Sequence, residues 1–385
     1  MKKLKEKPRI LLVLSRIYGG KTITNRIVEI VNNLQYIKPI YLFFDYNDYR
    51  EYSVPKILRV SFFEPNIIIR KKYKATIKDK FDALFFQSDG LILGFYEMIK
   101  KYPVALALDS TPSLSHQIRI KYDSFNTFEK KLRDLKLRIE IALFRKMYSN
   151  IDFFLPRTNW VAHDLQTTYG IPSNPMYVTY CPHNLSLWKP RKQKRKNKFV
   201  LLFVGNDFQR KGGNFLLSLY DKYLSEHCIL KIVSNDPGLP NGSIKKGVEV
   251  IKGITPENFK KLIEIYNSAD LFIFPTKYEM LGLALTEALS MGLPVIARDV
   301  GGIKEIVKNN YNGYLMPYNS DINKWTEKII FLIKNPHILK KFSYNSRKLA
   351  EDNFSMEKFS NTIRKVIDSL IKLIPYYENK RKILL

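Results

Sequence analysis

The chain has 385 residues, of which 45% are apolar and 13% aromatic. This length accommodates two domains with a sizeable core, and the composition excludes a disordered or fibrous protein. The formal net charge is +28, from 64 Lys and Arg against 36 Asp and Glu, which predicts attraction to anionic partners or surfaces.

The first predicted element is a β-strand. The N-terminus begins like a signal peptide, but its apolar stretch Ile10–Leu14 is short and is followed by Arg16 rather than by a small-residue cleavage site. No apolar run approaches the roughly 18 residues of a membrane-spanning helix. Short apolar runs alternate with helical patterns along the whole chain, which is typical of parallel α/β sheets. The predicted strands are Ile10–Ser15, Ile40–Phe44, Ala83–Gln87, Val104–Leu108, Asp152–Pro156, Tyr177–Tyr180, Phe199–Gly205, Ile229–Val233, Leu271–Phe274 and Val295–Ala297.

A long basic helix is predicted over residues 128–147. Its apolar residues recur at helical spacing and alternate with lysines and arginines, as in a helix lying at a membrane surface, although an ordinary solvated helix of a basic protein has the same pattern. The apolar positions are Phe128, Leu132, Leu135, Ile139, Leu143 and Met147. The positive charge therefore has three competing interpretations: nucleic acid, an anionic membrane surface, or a lysine-rich composition without specific meaning.

We favour the membrane over nucleic acid, because no nucleic-acid-binding signature appears in the sequence. The expected location is the cytoplasm, with peripheral attachment to the inner face of the membrane. The two cysteines, Cys181 and Cys228, lie in strand-like segments without a nearby set of metal ligands, so we predict neither a disulfide framework nor a zinc site.

The strand pattern predicts two α/β domains. A polar, basic run over residues 189–198 separates two complete series of strands and is the predicted linker. The first domain is predicted over residues 1–188 and the second over residues 199–355. A C-terminal helix over residues 356–385 could pack on either domain. Two parallel sheets facing a central cleft bind ligands at the carboxyl ends of their strands.

Two glycine-containing stretches follow strands and could face a phosphate in that cleft. Gly19 and Gly20 in "SRIYGGKTITN" permit close approach of an anion to a helix N-terminus, although taken alone the pattern favours a plain turn. In "FVGNDFQRKGGN", the strand ends at Gly205, and Arg210 and Lys211 precede a glycine pair and a helix. The two cations can neutralise a diphosphate, and the alternative is a basic turn exposed to solvent.

A third stretch, "YEMLGLALTEALSMG", carries two glutamates eight positions apart in an apolar setting. Gly282 opens the predicted helix, Glu279 lies before it, and Glu287 lies about one and a half turns inside it. A ligand across the helix N-terminus could contact both carboxylates, which accept hydrogen bonds from vicinal hydroxyls. Ribose, diphosphate and sugar in one molecule describe a nucleotide sugar. The alternatives are a glutamate interacting with the helix dipole and an exposed loop acid.

These motifs resemble the donor site of retaining GT-B glycosyltransferases of family 4. The E-x7-E pattern continues into "EALSMGLPVIARDVGGIKEIV", and "ALALDSTP", "WVAHDLQTTYGIP", "LWKP" and "FVGNDFQRKGG" follow the family order over most of the chain. The resemblance implies two Rossmann-like domains. It also implies that Glu287 binds the ribose, Glu279 the transferred sugar and Lys211 the diphosphate, with Gly19 and Gly20 beside the phosphates.

The chain departs from the family pattern at several positions. Asn206 replaces an arginine that often follows the strand-end glycine, and Arg210 is our candidate to supply that charge. Met280 and Leu281 replace a small and an aromatic residue between the first glutamate and Gly282, so the donor sugar cannot be inferred. His116 is the nearest match for the family's first-domain histidine, and a surface histidine is an equal alternative. Asp109 matches a family variant, and we assign it no role.

The resemblance and the residues together predict a hexosyltransferase-type enzyme acting in surface polysaccharide or glycoconjugate synthesis. It would move a sugar, with retention, from a nucleotide-diphosphate sugar to a glycan or lipid-linked glycan. No D-x-D triplet occurs in the sequence, so we expect no metal and no other cofactor. The alternatives are a nucleotide-sugar epimerase of the same fold and a non-catalytic basic protein that binds nucleic acid or a membrane surface.

Overall fold

The computed structural model describes residues 6–17, 20–52, 54, 63–122, 126–172, 175–191, 198–236, 238, 246–255 and 258–383. The chain forms two compact units. Unit 1 comprises Met1–Ile120, Ser124–Tyr180 and Phe359–Leu385, and unit 2 comprises Lys121–Asp123 and Cys181–Lys358. Residues 181–188, which the sequence pattern assigned to the first domain, group with unit 2.

Unit 1 contains a five-stranded parallel sheet in the order β2-β1-β3-β4-β5. β1, β3 and β4 contain continuous runs of buried Val, Ile, Leu, Ala and Phe, as expected for strands that are covered on both faces, whereas β2 alternates buried with partly exposed residues. The strands are β1 (Arg9–Ser15), β2 (Lys38–Phe44), β3 (Ala83–Phe86), β4 (Val104–Leu108) and β5 (Phe153–Pro156), and the helices are α1 (Gly20–Asn32), α2 (Asp48–Glu51), α3 (Phe63–Thr76), α4 (Tyr96–Ile99), α5 (Pro112–Tyr122), α6 (Thr127–Tyr148) and α7 (Asn159–Thr167).

Unit 2 contains a six-stranded parallel sheet in the order β11-β10-β9-β6-β7-β8. Its strands are β6 (Phe199–Val204), β7 (Cys228–Val233), β8 (Val248–Ile251), β9 (Leu271–Phe274), β10 (Val295–Arg298) and β11 (Gly313–Met316). Its helices are α8 (Gly213–Leu219), which continues as a π-helical turn, α9 (Phe259–Asn267), α10 (Leu283–Ser290), α11 (Ile303–Ile306), α12 (Ile322–Lys334) and α13 (Pro336–Asn353).

Each sheet has one point where the strand order reverses, between β1 and β3 in unit 1 and between β6 and β9 in unit 2. Loops that leave the carboxyl ends of the two strands at such a point diverge to opposite faces of the sheet, which creates a crevice where α/β proteins bind ligands. The loops that follow β6 and β9 carry the motifs singled out in the sequence.

The last helix, α14 (Met356–Ile383), continues into unit 1 from Phe359 onward. Its apolar stripe is buried, with Ile363, Val366, Ile367 and Leu370 each at 0% exposure. Polar contacts fix both halves of the helix: Tyr36 donates a hydrogen bond of 2.8 Å to Asp368, and Tyr377 donates one of 3.0 Å to Asp152. The final helix is therefore an integral layer of unit 1.

Two features of the sheets differ from the sequence-based expectation. The segment Tyr177–Tyr180, predicted as a strand, is not a regular strand. Its Tyr177 and Thr179 N–H groups donate to the β5 carbonyls of Phe154 and Pro156 at 2.9 and 2.8 Å, and the preceding residue, Met176, forms an isolated bridge with Phe154. The strands β8 and β11 lacked a recognisable pattern, and they are the two edge strands of their sheet. None of the four residues of β8 is fully buried.

Cys181 and Cys228 are both buried and are not joined by a disulfide. Burial raises the pKa of the Cys228 thiol to about 12, so this side chain is an inert part of the core. Among the described residues, no helix is both long enough and apolar enough to cross a membrane.

Candidate functional site

Two loops meet at the reversal point of unit 2 because glycines let their backbones touch. Gly212 has a φ of +83°, and a Cβ at this position would lie 2.2 Å from the carbonyl oxygen of Pro275. The backbone N–H of Lys277 donates to the carbonyl of Arg210 at 2.8 Å. The loop after β6 is thereby joined to the loop after β9, which explains why this turn requires glycine.

This junction brings together the cations and the first glutamate predicted from the sequence. Lys211 donates a hydrogen bond to the Oε2 atom of Glu279, and the Nη1 atom of Arg210 lies 3.7 Å from the same oxygen. Arg210 also donates to Asp207 at 2.6 Å and to the carbonyl of Tyr278 at 2.8 Å. The site thus holds two cations between two carboxylates.

The carboxylate of Glu279 is charged despite its partial burial. Burial raises the pKa of the Glu279 carboxyl, but attraction to Lys211 and Arg210 and hydrogen bonds from Lys211 and the Met280 N–H outweigh burial and hold the pKa below its ordinary value. The pKa of Arg210 is raised, because Glu279 and Asp207 outweigh the opposing effect of burial. Glu279 and Arg210 are therefore both ionised at neutral pH.

Lys211 can bind a further anion while it keeps its contact with Glu279. An ammonium group has three N–H donors, and Glu279 accepts one of them. The aliphatic part of Lys211 packs beside Gly205, where an added Cβ would lie 3.1 Å from its Cγ atom. Its Nζ atom lies 5.0 Å from the centroid of the Phe274 ring. These contacts hold the ammonium at the carboxyl edge of the sheet.

Gly282 forms the N-cap of α10 and adopts a φ of +88° and ψ of 114°, a conformation that strongly favours glycine. Its carbonyl accepts from the backbone N–H groups of Leu285 and Thr286 at 3.2 and 3.3 Å. The first N–H groups of a helix lack acceptors inside the helix and can bind an anion. A Cβ at Gly282 would lie 3.2 Å from the Cγ atom of Glu279, so the helix start and the charged cluster are adjacent.

The two residues that depart from the family pattern differ in their burial. Leu281 has only 3% exposure and forms part of the core. Met280 is half-buried, and its carbonyl accepts a hydrogen bond of 2.8 Å from the Gly302 N–H. Of the two, Met280 is the side chain that retains access to solvent next to Glu279.

Glu287 is held by a tyrosine that the sequence pattern did not single out. The hydroxyl of Tyr266, a fully buried residue at the end of α9, lies 2.9 Å from Glu287 Oε2 and 3.1 Å from the carbonyl of Ala284. Burial, followed by the charge of Glu287, raises the pKa of Tyr266 well above its ordinary value. Tyr266 therefore stays protonated and can only donate to the carboxylate.

Asn206 braces the neighbouring loops. Its side-chain oxygen accepts a hydrogen bond of 2.9 Å from the Asn235 N–H after β7, and the Asn235 side chain in turn accepts from the Gly253 N–H after β8 at 2.8 Å. The loops that follow β6, β7 and β8 are thus connected in a row. The role of Asn206 as a donor-binding residue stays a prediction.

At the reversal point of unit 1, Gly20 has a structural reason to be glycine, because an added Cβ would lie 2.7 Å from the Ser15 carbonyl oxygen. Gln87, after β3, donates to the Gly20 carbonyl at 3.1 Å and accepts a hydrogen bond of 2.5 Å from Thr24. Close packing of α1 against β1 accounts for Gly20, and its contact with phosphate stays a prediction. Gly19 lies outside the described residues.

His116 and Asp109 each pair with a charged residue within unit 1. The Nε2 atom of His116 lies 2.9 Å from Asp134 on α6. The buried Arg157 donates to Asp109 at 3.1 Å and to the Thr179 carbonyl at 3.2 Å. A catalytic role for His116 stays a prediction, and Asp109 forms an ion pair at the carboxyl edge of the sheet.

The structure adds three residues to the predicted site: Tyr266, Asp207 and Phe274. Asp207 is visible in the sequence as an acid three positions before Arg210, a spacing at which side chains in a turn can meet. The contact between Tyr266 and Glu287 spans 21 positions. Helical periodicity places Tyr266 on a buried face but does not indicate what it holds.

The two parallel α/β sheets and the charged crevice of unit 2 define a GT-B fold, as in several solved structures of glycosyltransferases. The predicted fold class is therefore confirmed. Sucrose-phosphate synthase from Thermosynechococcus elongatus matches with a TM-score of 0.74 at 16% identity, over 95% of this chain and 99% of that chain. Anabaena Alr3699/HepE in complex with UDP-glucose matches with a TM-score of 0.66 at 14% identity, over 94% of this chain and 99% of that chain.

The sequence comparisons locate the similarity in the second half of the chain. Residues 186–349 match the family described as glycosyl transferases group 1. The uncharacterized glycosyltransferase MJ1069 of Methanocaldococcus jannaschii is 30% identical over 191 residues, which are 48% of this chain and 48% of that protein. The chain spans about half the length of the curated relatives it matches. The matched segment contains Lys211, Glu279 and Glu287.

Proposed function

We propose that the chain is a group 1 glycosyltransferase that takes a sugar from a nucleoside-diphosphate sugar bound in unit 2. The observation that carries the proposal is the charged cluster of Arg210, Lys211 and Glu279 beside the N-terminus of α10, with Glu287 inside the same helix. Relatives and structural neighbours are named as glycosyltransferases, and Anabaena Alr3699/HepE is described in complex with UDP-glucose. Both findings support the proposal.

In the proposed reaction, the anomeric carbon exchanges its bond to the diphosphate for a bond to an acceptor hydroxyl oxygen. The acceptor hydroxyl loses its proton, and negative charge builds on the departing diphosphate. Lys211, Arg210 and the first N–H groups of α10 stabilise that charge as it develops. Glu279 accepts hydrogen bonds from the transferred sugar, and Glu287, oriented by Tyr266, accepts them from the ribose. The cations neutralise the diphosphate without a metal ion. Retention of configuration is part of the proposal through the family 4 resemblance alone.

Binding of nucleoside-diphosphate sugars to Glu287→Gln tests this assignment. The variant keeps the shape of the side chain but removes the charge that accepts paired hydroxyls, and a hydrogen bond to a charged group contributes about 1.5–3 kcal/mol. We expect dissociation constants at least about tenfold weaker in calorimetry for the donor that gives the largest thermal shift with the wild-type chain. The matched control is Glu264→Gln, an exposed glutamate on α9, which should bind like the wild type. Equal binding by both variants would refute the role of Glu287.

We also propose that the acceptor is a glycan or a lipid-linked glycan at an anionic membrane. The first half of α6 is the support for this step. Four large apolar side chains on one face of this helix are exposed, at 75%, 58%, 56% and 62% for Phe128, Leu132, Leu135 and Ile139. Lysines and arginines flank this stripe, and such a face binds by inserting apolar groups between anionic lipid headgroups.

Flotation with vesicles tests the membrane step. Vesicles of phosphatidylcholine with phosphatidylglycerol should carry the chain upward at low salt, and the double variant Leu132→Ser with Leu135→Ser should stay at the bottom of the gradient. Vesicles of phosphatidylcholine alone are the lipid control. If the wild-type chain fails to float with anionic vesicles at low ionic strength, the membrane proposal is wrong, while donor binding by unit 2 is unaffected.

An epimerase of the same fold and a non-catalytic binding protein are the alternatives to transfer. An epimerase converts the sugar without an acceptor, so product analysis of a donor incubated alone separates it from a transferase. Salt-sensitive binding to nucleic acid without any nucleotide-sugar binding would indicate the second alternative.

A further inference from the structure

A cavity of about 450 Å³ lies in unit 1, at the opposite end of the sheet from the reversal-point crevice. Its walls come from the start of β1, the loops that precede β3 and β4, and the last turns of α14. These are the amino ends of the parallel strands, whereas α/β proteins place substrates at the carboxyl ends. The cavity is therefore separate from the proposed transfer site, and its volume suits a small molecule.

The lining of this cavity has an excess of positive charge. Four cations (Arg9, Lys78, Lys80 and Arg381) and two carboxylates (Asp79 and Asp82) line the space. Both carboxylates already have cationic neighbours: the Arg9 Nε atom lies 3.5 Å from Asp82, and Asp79 lies 3.5 Å from Lys38. The excess of two positive charges in the lining matches the charge of a phosphate monoester near neutral pH.

Arg381 is positioned by aromatic stacking. Its guanidinium carbon lies 4.3 Å from the centroid of the Tyr102 ring, and that ring lies 4.6 Å from the ring of Phe81, which is 6% exposed. A guanidinium group over a ring keeps the N–H donors at its edge available to an oxyanion. Among the described residues, Arg381 has neither a carboxylate partner nor a hydrogen-bond acceptor.

We propose that this cavity is a binding site for a phosphate monoester. The phosphate contacts Arg381 and Lys80, whose charges have no carboxylate partner among the described residues, and the carbon skeleton that carries the phosphate packs against Tyr73 and Met98 on the cavity wall. A free metabolite and the headgroup of a phospholipid such as phosphatidic acid both present this phosphate chemistry. Because Arg381 lies on α14, the ligand also ties the end of this helix to the strands of unit 1.

Calorimetry with the full chain tests the site, with glucose 6-phosphate as the soluble probe and vesicles of phosphatidylcholine with phosphatidic acid as the lipid probe. Each lost contact to a charged group should weaken binding about tenfold or more, so Arg381→Ala and Lys80→Ala should both bind the effective probe at least about tenfold more weakly. Lys80 is exposed in a loop, so Lys80→Ala decides the test if Arg381→Ala fails to fold. The matched control is Lys372→Ala, an exposed lysine on the same helix, which should bind like the wild type.

Lys211→Met separates this site from the transfer site, because it removes the central cation of unit 2 and leaves unit 1 unchanged. Binding of either probe supports the site if the binding depends on Arg381 and Lys80 but not on Lys211. The probe that binds then shows whether the phosphate ligand is a soluble molecule or a lipid headgroup. The proposal is overturned if neither probe binds, if binding is indifferent to Arg381→Ala and Lys80→Ala, or if Lys211→Met alone abolishes it. These outcomes do not depend on whether unit 2 transfers sugar.

Discussion

Replacement of Lys211 by methionine separates chemistry from stability in unit 2. Methionine retains much of the aliphatic part that packs beside Gly205 but removes the ammonium group. If Lys211 stabilises the leaving diphosphate, turnover should fall by about 10²–10³-fold, as when a single preorganised donor is removed from other active sites. The folding cost should be smaller, because Arg210 remains 3.7 Å from the Glu279 carboxylate. At an effective dielectric constant near 20, that distance corresponds to about 4.5 kcal/mol of attraction.

Glu279 therefore keeps a cationic neighbour in the Lys211→Met variant, and we expect a stability loss of about 1–2 kcal/mol instead of the 3–5 kcal/mol that follows when a buried charge loses its only partner. For a unit of this size, that loss lowers the melting temperature by roughly 2–8 °C. The assay combines turnover of the donor identified by thermal shift with a thermal melt. Lys277→Met, an exposed lysine in the same loop as Glu279, is the matched control. A folded Lys211→Met protein with wild-type turnover would refute the reasoning.

Three further predictions concern both units. Tyr266→Phe removes the hydroxyl that donates to Glu287, so the affinity for the nucleotide sugar measured by calorimetry should fall several-fold while the melting temperature drops by only a few degrees. Burial raises the pKa of Asp89 to about 6, from an ordinary value of 3.8. The folded protein therefore favours the protonated side chain, and the stability that this protonation contributes is present below pH 3.8 and is lost as the pH rises through about 6. Urea titrations of the wild type and Asp89→Asn give the two free energies of unfolding. The wild type should lose stability relative to Asp89→Asn as the pH rises over this range. The loss should be smaller than about 3 kcal/mol, because Asp89 keeps some exposure to water. Ile367→Ala, which empties a fully buried position of α14, should cost about 2–5 kcal/mol in the unfolding of unit 1.

Most of the secondary structure could be predicted from the sequence because the central strands are continuous apolar runs. β4 and β9 have the predicted bounds, and both have every residue buried. The edge strands β8 and β11 could not be predicted in the same way. β11 is a short strand that starts with Gly313, where a Cβ would lie 1.8 Å from the carbonyl oxygen of Val295. In the sequence, a glycine at this position suggests a turn. In the fold, Gly313 permits close pairing of β11 with β10.

The candidate site was predictable where its residues follow strands directly and not where it depends on contacts between distant segments. Lys211 and Glu279 lie in loops after apolar strands, and parallel sheets bring such loops to one edge. The spacing of the glutamates could not show that Glu279 is paired within the protein, or that a buried tyrosine 21 positions away orients Glu287. Those contacts depend on which strands are neighbours, and the order β9-β6 places the fourth strand of the unit beside the first.

The net positive charge of the chain does not describe the charge balance of the candidate site. In unit 2, the charges of Arg210 and Lys211 are matched by those of Glu279 and Asp207. In the proposed donor complex, the diphosphate would share Lys211 with Glu279, and the sugar hydroxyls that reach Glu279 would compensate that carboxylate for the ammonium charge it gives up. A donor that carries both groups satisfies both partners at once, whereas a free diphosphate satisfies only the cations. On this proposal, the internal ion pair selects for the intact nucleotide sugar, a selectivity that net charge alone does not provide.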